Sequence, residues 1–407
     1  MQRSPRWDAA IASSGRMVTL ASILYGGVPV LRDLSIVAGS VVQDTTAASR
    51  GRCDVQLAEP TLIPADLGDP LSPDGYEIVL ERGVVYRSAR AASSRATLTA
   101  LVTEDGDVLV TEDGDVIGWP LIRYSPAIDA VIETKPLGVF PIQDSLIDGV
   151  TLLTSISALD RSQRVRDAML EDDYPIAGGT PFTDAIRTLI DFCVPGLEFD
   201  FVDCPHVTPP LVLPAFSDPF DHAQLMARSV GMELFFNGYG RPVLRPELDV
   251  RTAAPVTTIA EGDGQTLKAI SMRRDRTKSY NRWIAIGNNS ANTTQYRGVA
   301  TDDDPSSPSY YYGRFGRKPA PPFKSTLIGS QAQAEAAAYA KLIGGLGIAR
   351  ELSAEATTNP ALEAGDPILF KRERIGVNEV HIADSITTGL GAEEGQTFQC
   401  RARQLAA

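Results

Sequence analysis

The stretch from Ser217 to Pro246 spells a short capped helix, a stop and a β-hairpin without a gap. Asp218 is a good helix N-cap, and Pro219 suits the first helical position. Apolar residues then recur at helical spacing until Gly231, which is predicted to end the helix. Two strands are predicted to follow, at 232–236 and 242–245, joined by an Asn- and Gly-rich turn at 237–240. The stretch predicts scaffold elements and contains no catalytic residue.

A second helix is predicted between Gly178 and Gly196 and begins in the same way. Thr180 is predicted to cap it, Pro181 to open it, and Pro195 with Gly196 to stop it. Its apolar residues share one face: Phe182, Ala185, Ile186, Leu189 and Ile190. The two helix starts lie about forty residues apart. Two helices that each begin with a cap, a proline and a phenylalanine suggest packing elements of one small α+β domain.

Short apolar runs separated by turn residues dominate the N-terminal part of the chain. The clearest runs lie at 17–57, 76–86 and 136–157. The 28 prolines and 34 glycines are scattered among such runs, which indicates many strands and turns. A chain of 407 residues is expected to form two or three domains of roughly 150 residues each. The sequence therefore predicts a mainly β, α+β chain with few helices.

Strand-like runs resume after the hairpin and continue to about residue 289. Ser330 then caps the strongly helical run QAQAEAAAYAKLI, which Gly344 and Gly345 are expected to end. From Ala361 onward the chain alternates like strands with Gly-rich turns. This pattern predicts a terminal β module.

The only clear internal repeat is TEDGDV, which recurs after eight residues between Leu101 and Trp119. Two Asp-Gly pairs flank a short strand, so the repeat predicts a three-stranded meander. Its acidic side chains are hard oxygen ligands and raise calcium binding as an alternative: Asp105, Asp107, Asp113 and Asp115. The spacing matches neither an EF-hand loop nor the glycine-rich calcium repeats, so we favour the plain hairpin.

The net charge of −13 argues against a Lys/Arg surface built to grip phosphates, and sequence-specific nucleic-acid binding is not expected. The same charge is compatible with an acidic wall that repels DNA. Four cysteines form no CxxC pair, so neither a disulfide scaffold nor a zinc site is expected: Cys53, Cys193, Cys204 and Cys400. No run approaches the ~20 apolar residues of a membrane span, and stable membrane insertion is not expected.

Histidines are too few and too isolated to mark a catalytic centre: His206, His222 and His381. The nucleophile, zinc-protease, P-loop and dinucleotide motifs are absent from the sequence. Two acidic runs, 171–173 and 302–304, are expected to be solvated turn segments, although a carboxylate pair for glycoside hydrolysis depends on spacing in three dimensions. The sequence predicts no enzyme, no catalytic residue, no cofactor and no metal.

Residues 301–323 mix acids, serines, tyrosines, basic residues and prolines, and predict an exposed loop or arm. Its basic aromatic cluster suits stacking on bases or sugars: Tyr310, Tyr311, Tyr312, Arg314, Phe315, Arg317 and Lys318. The alternative, which we favour, is a loop whose aromatic side chains pack on a neighbouring subunit.

Six blocks, in this order, resemble the tail hub proteins of phages. They are VPVLRDLSIVAGSVVQDTTAASRGRCDVQL, YEIVLERGVVY with PLGVFPI, LDRSQRVRDAMLEDDYPIAGGTPFTDAIRTLI, DPFDHAQLMARSVGMELFFNGYGRPVLRP, SYNRWIAIGNN and LEAGDPILF. They resemble in particular the minor tail proteins of phages that infect actinobacteria, which are similar to the baseplate central hub of contractile tails. The blocks cover most of the chain.

The resemblance implies two tail-tube-like β-barrel domains with an inserted small α+β domain. The first barrel would occupy 1–157 with a hairpin insertion near 91–126. The α+β domain would occupy 158–254. The second barrel would occupy 255–407, with the arm and the Ala-rich helix as an excursion at 296–349.

The same resemblance implies a structural virion protein at the tail tip, assembled in the host cytoplasm. A homotrimer would adapt the sixfold tube to a threefold tip and form part of the channel for genome delivery. Implied partners are the distal tail protein ring, the tail tube, the tape-measure protein and other tip or receptor-binding proteins. DNA would pass without specific contacts.

Two functions from other classes remain as alternatives. A receptor- or carbohydrate-binding tip protein would need exposed aromatic side chains, and the tryptophans are isolated in sequence: Trp7, Trp119 and Trp283. A tail-associated cell-wall hydrolase would need a catalytic constellation, which the sequence does not display.

Overall fold

The computed structural model describes residues 7–12, 16–59, 62–64, 66, 68–87, 99–100, 118–119, 130–249, 252–262, 265–277, 279–287, 295–346, 350–391 and 393–402. Over these ranges the chain is mainly β with few helices, as the sequence predicts. The acidic side chains of the TEDGDV repeat, and with them the calcium alternative, lie outside the described residues: Asp105, Asp107, Asp113 and Asp115. No helix among the described residues is long and apolar enough to cross a lipid bilayer.

We call residues 7–159 the first β unit. Its described elements are α1 (Trp7–Ala12), β1 (Arg16–Tyr25), β2 (Val28–Leu31), β3 (Ile36–Asp44), β4 (Gly51–Leu57), β5 (Tyr76–Arg87), β6 (Thr99–Ala100), β7 (Gly118–Trp119), β8 (Ala130–Ile147) and β9 (Thr154–Leu159). Along β4, buried and exposed residues alternate with the period of two that gives a sheet one apolar face. That face joins an apolar core with residues such as Ile78 and Phe140.

We call residues 160–249 the α+β unit. Its elements are α2 (Ser162–Asp167), β10 (Tyr174–Ile176), α3 (Phe182–Cys193), β11 (Asp200–Phe201), β12 (Leu211–Leu213), α4 (Pro219–Ser229), β13 (Met232–Phe236) and β14 (Pro242–Pro246). The apolar faces of α3 and α4 pack together over the β13–β14 hairpin. The Phe220 and Phe236 rings, 5.8 Å apart, join the helix to the hairpin.

The helix and hairpin at 217–246 form as predicted, because each boundary is set by a local interaction. The Asp218 carboxylate accepts hydrogen bonds from the backbone N–H groups of Phe220 and Asp221. Gly231 adopts a φ of +77°, which costs a glycine little, and turns the chain into β13.

The predicted cap of the other helix is wrong. Pro181 occupies the N-cap position of α3, and no side chain caps the helix there. The Thr180 hydroxyl instead donates to the carbonyl of Ala177 at 2.9 Å. A hydroxyl can satisfy a preceding carbonyl as readily as a helix N–H group, so a similar sequence at the start of both helices does not give both the same cap.

We call residues 252–402 the second β unit. Its elements are β15 (Thr257–Ala260), β16 (Leu267–Arg274), β17 (Arg282–Gly287), β18 (Arg297–Thr301), β19 (Phe323–Ser325), α5 (Gln331–Gly345), β20 (Arg350–Ala356), β21 (Pro367–Arg372), a 3₁₀ turn (Glu373–Ile375), β22 (Val377–Gly389) and β23 (Gln396–Ala402). Ser330 caps α5 as predicted, since its side chain accepts from the N–H of Gln333.

Thirteen of the described strands form one sheet that runs through both β units. Its main path is β16–β20–β23–β22–β3–β4–β9–β8–β5–β1–β2, with β15 and β21 branching from β22. The two units join where β22 pairs antiparallel with β3, from Ser385 opposite Asp44 to Gly389 opposite Ser40. Each unit has its own apolar core, so backbone hydrogen bonds connect two packed bodies.

A separate three-stranded sheet of β17, β18 and β19 lies against α5. The small side chains of α5 allow close approach, and Ala334, Ala337 and Ala338 are fully buried there. Gly298 on β18 faces this helix so closely that a Cβ atom would lie 2.0 Å from the Ala334 carbonyl oxygen. β17 thus pairs with β18 and β19 in this subdomain.

Candidate functional site: a buried charged junction

Arg50, in the connection between β3 and β4, touches all three units. Its side chain is buried, and its Cζ lies 3.7 Å from the centroid of the Phe235 ring on β13. Its Nη2 donates a hydrogen bond to the Ala364 carbonyl of the second β unit. A single guanidinium therefore connects the first β unit to the other two through a cation–π contact and a hydrogen bond.

Arg245, on β14, approaches the same ring, with its Cζ 4.9 Å from the Phe235 centroid. Its Nε donates to Glu233 Oε1 at 2.5 Å. Both arginines lie against Gly365, where a Cβ atom would come within 2.8 Å of Arg50 Nη2. Gly365 also has a φ of +89°, so glycine suits this position for both space and backbone conformation.

Two carboxyl groups from the second β unit complete the junction. Burial raises the pKa of Glu363 and of Asp366, while Arg50 and Arg245 act in the opposite direction. Glu363 Oε1 accepts from the N–H of Gly238 at 3.3 Å, and Asp366 Oδ2 accepts from the N–H of Glu363 at 2.9 Å. Burial also lowers the pKa of Arg50. Each group is charged at a cost, and the opposite charges beside it offset that cost.

The tip of the β13–β14 hairpin lies against the first β unit. Arg161 donates two hydrogen bonds to the buried Glu77 carboxylate, from Nε at 2.9 Å and from Nη2 at 2.7 Å. Its Nη1 donates to the Gly240 carbonyl at 3.3 Å. Gly240 has a φ of +70°, and a Cβ atom there would lie 2.9 Å from Val139 Cβ. The turn thus brings backbone directly onto the sheet of the neighbouring unit.

A second, partly buried ion pair lies in the second β unit, between Asp384 on β22 and Arg401 on β23. Arg401 Nε lies 3.0 Å from Asp384 Oδ1, but the angle does not suit a hydrogen bond. Burial raises the pKa of Asp384 to about 6, against the opposing effect of Arg401. The nearby Glu247 carboxyl also has a raised pKa because of its burial.

The three histidines lie in separate places: His206 in a loop, His222 on α4 and His381 on β22. His222 Nε2 lies 2.8 Å from Ser217 Oγ. The Ser217 hydroxyl donates to the Pro214 carbonyl at 2.5 Å, and its oxygen can also accept a hydrogen bond from the His222 ring. His381 is fully buried, with Nε2 at 3.4 Å from Glu379 Oε2.

Possible metal ligands, cysteines and tryptophans are the other candidates from the sequence. Within the described ranges, no group of three His, Cys, Asp or Glu residues is arranged to hold a metal ion. The four cysteines, all in described ranges, are free. Burial raises the pKa of Cys193 to about 11, which disfavours the reactive thiolate.

Trp7 is fully buried and its Nε1 donates to Asn359 Oδ1 at 3.0 Å, which links α1 to the second β unit.

The expectation that 302–304 is a solvated run is wrong for Asp302. Its side chain is fully buried, and its Oδ2 accepts from the hydroxyls of Ser307 at 2.5 Å and Ser309 at 2.6 Å. The run 171–173 is exposed as expected, and Asp173 Oδ1 accepts from the N–H of Ala215 at 2.9 Å.

The predicted exposed arm is in fact folded onto its own chain. The fully buried Asn281 donates through Nδ2 to the carbonyls of Ser309 at 3.0 Å and Gly316 at 2.8 Å, and accepts from the N–H of Lys318 at 2.9 Å. Tyr311 is buried, whereas Tyr312 is 64% exposed. The side-chain amide of Asn281 bonds residues on both sides of the loop and so closes it, and composition alone does not predict this closure.

The junction was not predictable from the sequence, because its members lie far apart in the chain. Arg50, Phe235 and Glu363 come from three units and carry no common motif. The signal that was present is glycine: Gly238 and Gly240 in the predicted turn, and Gly365 in the block LEAGDPILF. Each of these allows an approach that a Cβ atom would obstruct.

Comparison with solved structures identifies the fold. A tail protein from Neisseria meningitidis MC58 is similar over 95% of this chain and 97% of its own, with a TM-score of 0.57 and 12% identity. The 43 kDa tail protein of prophage MuSo2 from Shewanella oneidensis covers 94% and 98%, with a TM-score of 0.54 and 11% identity. Prophage tail protein gp18 from Listeria monocytogenes EGD-e covers 94% of both chains, with a TM-score of 0.52 and 11% identity.

No protein-family model matches the chain, and no curated protein matches it in sequence. The chain shares its fold with these three tail proteins, and the likeness extends over nearly the whole chain rather than over one unit.

Proposed function

We propose that this chain is a structural hub protein of a phage tail. The observation that carries the proposal is the extent of the fold match, at least 94% of both chains for three tail proteins. A likeness of that extent is more than one shared subdomain would give. The sequence blocks that resemble minor tail proteins of actinobacterial phages support the same assignment.

In this proposal a homotrimer presents two tube-like barrels per copy, and six similar barrels continue the sixfold tube down to a threefold tip. The barrels are assigned to 1–157 and 255–407, and the α+β domain at 158–254 lies on the outside. The sheet shared by both β units supports this arrangement, because pairing of β3 with β22 fixes one barrel relative to the other.

The mechanism is mechanical and electrostatic. The hub binds the distal tail protein ring and the tube, lets the tape-measure protein and DNA pass, and carries other tip or receptor-binding proteins. The net charge of −13 suits a channel wall, since like charge keeps a polyanion from adhering. The buried charged junction holds the outer domain rigidly against the tube wall, and no enzymatic step is assigned.

Antibody labelling of intact virions tests this assignment. Electron microscopy of particles incubated with gold-labelled antibody against this chain should show label at the distal end of the tail. Label along the whole tube or on the capsid would contradict the proposal.

A further inference from the structure

The α+β unit carries an open groove lined by apolar and acidic side chains. The groove has a volume of about 680 Å³ and lies at the C-terminal end of α3. Phe192 and Met169, in its lining, are 64% and 47% exposed. Glu171, Asp172 and Asp173 also line it. We call this surface the acidic groove. Exposed large apolar side chains beside fixed charges are typical of a binding surface.

Contacts within the chain hold the aromatic side chains of the groove in place. The Phe192 and Tyr174 ring centroids lie 5.3 Å apart. Phe216, 82% exposed, adjoins the groove because its N–H donates to the Leu170 carbonyl at 2.7 Å. Phe216 has a φ of +57°, a strained conformation for a phenylalanine. The surrounding structure therefore keeps a large apolar ring in solvent beside the acidic groove.

A surface of opposite character lies on the second β unit, in the loop between β18 and β19. Tyr312 projects with its ring 5.8 Å from Arg317 Cζ, and Arg314 is exposed next to them. We call these three residues the basic knob. The hydrogen bonds of Asn281 close the loop beneath it, so little conformational entropy is lost when the basic knob binds.

The two surfaces lie on different units of one chain. The N-terminal ends of α3 and α5 both contact the loop at 206–207, through Phe182 N–H to the His206 carbonyl and Gln333 Nε2 to the Val207 carbonyl. The acidic groove lies at the other end of α3, about 18 Å away at 1.5 Å per residue. The basic knob follows Thr301, at the end of β18. The start of β18, at Arg297, contacts Gln331 at the N-terminus of α5, so the knob lies at the strand end remote from that terminus.

We propose that the acidic groove of one copy receives the basic knob of a second copy. The charges are opposite, and the exposed Tyr312 ring supplies the apolar surface that Phe192, Met169 and Phe216 can cover. Because the two surfaces are different patches, the contact is heterologous and generates a ring when the rotation closes. The inference rests on the proposed function, for which it names the contact between copies of the hub.

Charge reversal tests the contact. One variant combines Glu171→Lys with Asp172→Lys, a second combines Arg314→Glu with Arg317→Glu, and a third carries all four changes. Light scattering after size exclusion and sedimentation should show self-association weakened at least about tenfold in the first two variants and restored to within about threefold in the third. For the wild type, association should weaken between about 0.05 M and about 0.5 M NaCl.

A matched control reverses two exposed carboxylates elsewhere, Asp74→Lys with Glu373→Lys, and should leave association unchanged. Association that survives both reversals, or that the fourfold change does not restore, overturns the inference. The inference is also overturned if a basic knob variant loses binding to single-stranded DNA but self-associates normally, or if the wild-type protein stays monomeric. In each case virion labelling still reports separately on the proposed function.

Discussion

Arg50 is a buried charge whose partners belong to other units. Replacing it by alanine leaves Glu363 and Asp366 with less compensating charge and removes the contact with Phe235. We expect Arg50→Ala to lower the free energy of unfolding by about 3–5 kcal/mol, measured by urea denaturation.

The control for this substitution lies two residues away. Arg52 is exposed and pairs at 3.6 Å with the exposed Asp54, so Arg52→Ala should cost less than about 1 kcal/mol. Equal losses for the two alanine variants would show that Arg50 does not hold the junction.

Asp384 should give the protein a pH-dependent stability. Its pKa is about 6 in the folded chain and 3.8 for the ordinary group. The folded state therefore binds the proton more tightly, and the stability from this group is present at low pH and lost as the pH rises from about 4 to about 6.

Asp384→Asn removes this titration. The free energy of unfolding of the variant relative to the wild type should rise across that window, by up to about 3 kcal/mol, and then level off. Urea denaturation from about pH 4 to pH 7 measures this, and a difference that is constant with pH would contradict the assignment.

At the scale of elements, the starts of α3 and α4 should respond differently to loss of the polar side chain. Asp218→Ala removes two hydrogen bonds to the first turn of α4 and a contact with Arg166, and should destabilise the protein by about 1–2 kcal/mol. Thr180→Ala removes only a bond to the Ala177 carbonyl and should cost less than about 0.5 kcal/mol. Thermal and urea unfolding of the two variants checks the order, and equal losses would mean that Thr180 caps α3 after all.

The hairpin turn offers a test of docking between units. Gly240→Ala places a Cβ atom 2.9 Å from Val139 and also strains a φ of +70°, so a loss of about 2–3 kcal/mol is expected. Gly376 has a similar φ of +64° but open space around it. Gly376→Ala should therefore show only the backbone cost, about 1 kcal/mol. Equal losses in urea denaturation would mean that the hairpin tip does not press on the first β unit.

Elements set by neighbouring residues were predictable from the sequence, and elements set by distant contacts were not. Asp218, Gly231 and Ser330 act through local hydrogen bonds or a backbone conformation, so α4, its hairpin and α5 were placed correctly. The loop around Tyr311 is closed by Asn281, about thirty residues away, and its composition suggested an exposed arm.

At the scale of the whole molecule, one sheet connects both β units through pairing of residues more than 300 positions apart. Alternation along a strand predicts that the strand exists and which face is buried, but not which strand lies beside it. The β3–β22 pairing and the charged junction around Arg50 therefore needed the structure, whereas the mainly β class and the likeness to tail proteins were accessible from the sequence blocks.

A structural hub at the tip of a phage tail is present in a small, fixed number of copies. Quantitative mass spectrometry of purified tails, with labelled peptides of this chain as standards, measures that number. We expect about three copies in each tail, as the proposed homotrimer at the tip requires. Absence from tails, or a copy number in the tens such as a repeating tube subunit would give, would contradict the assignment as a hub.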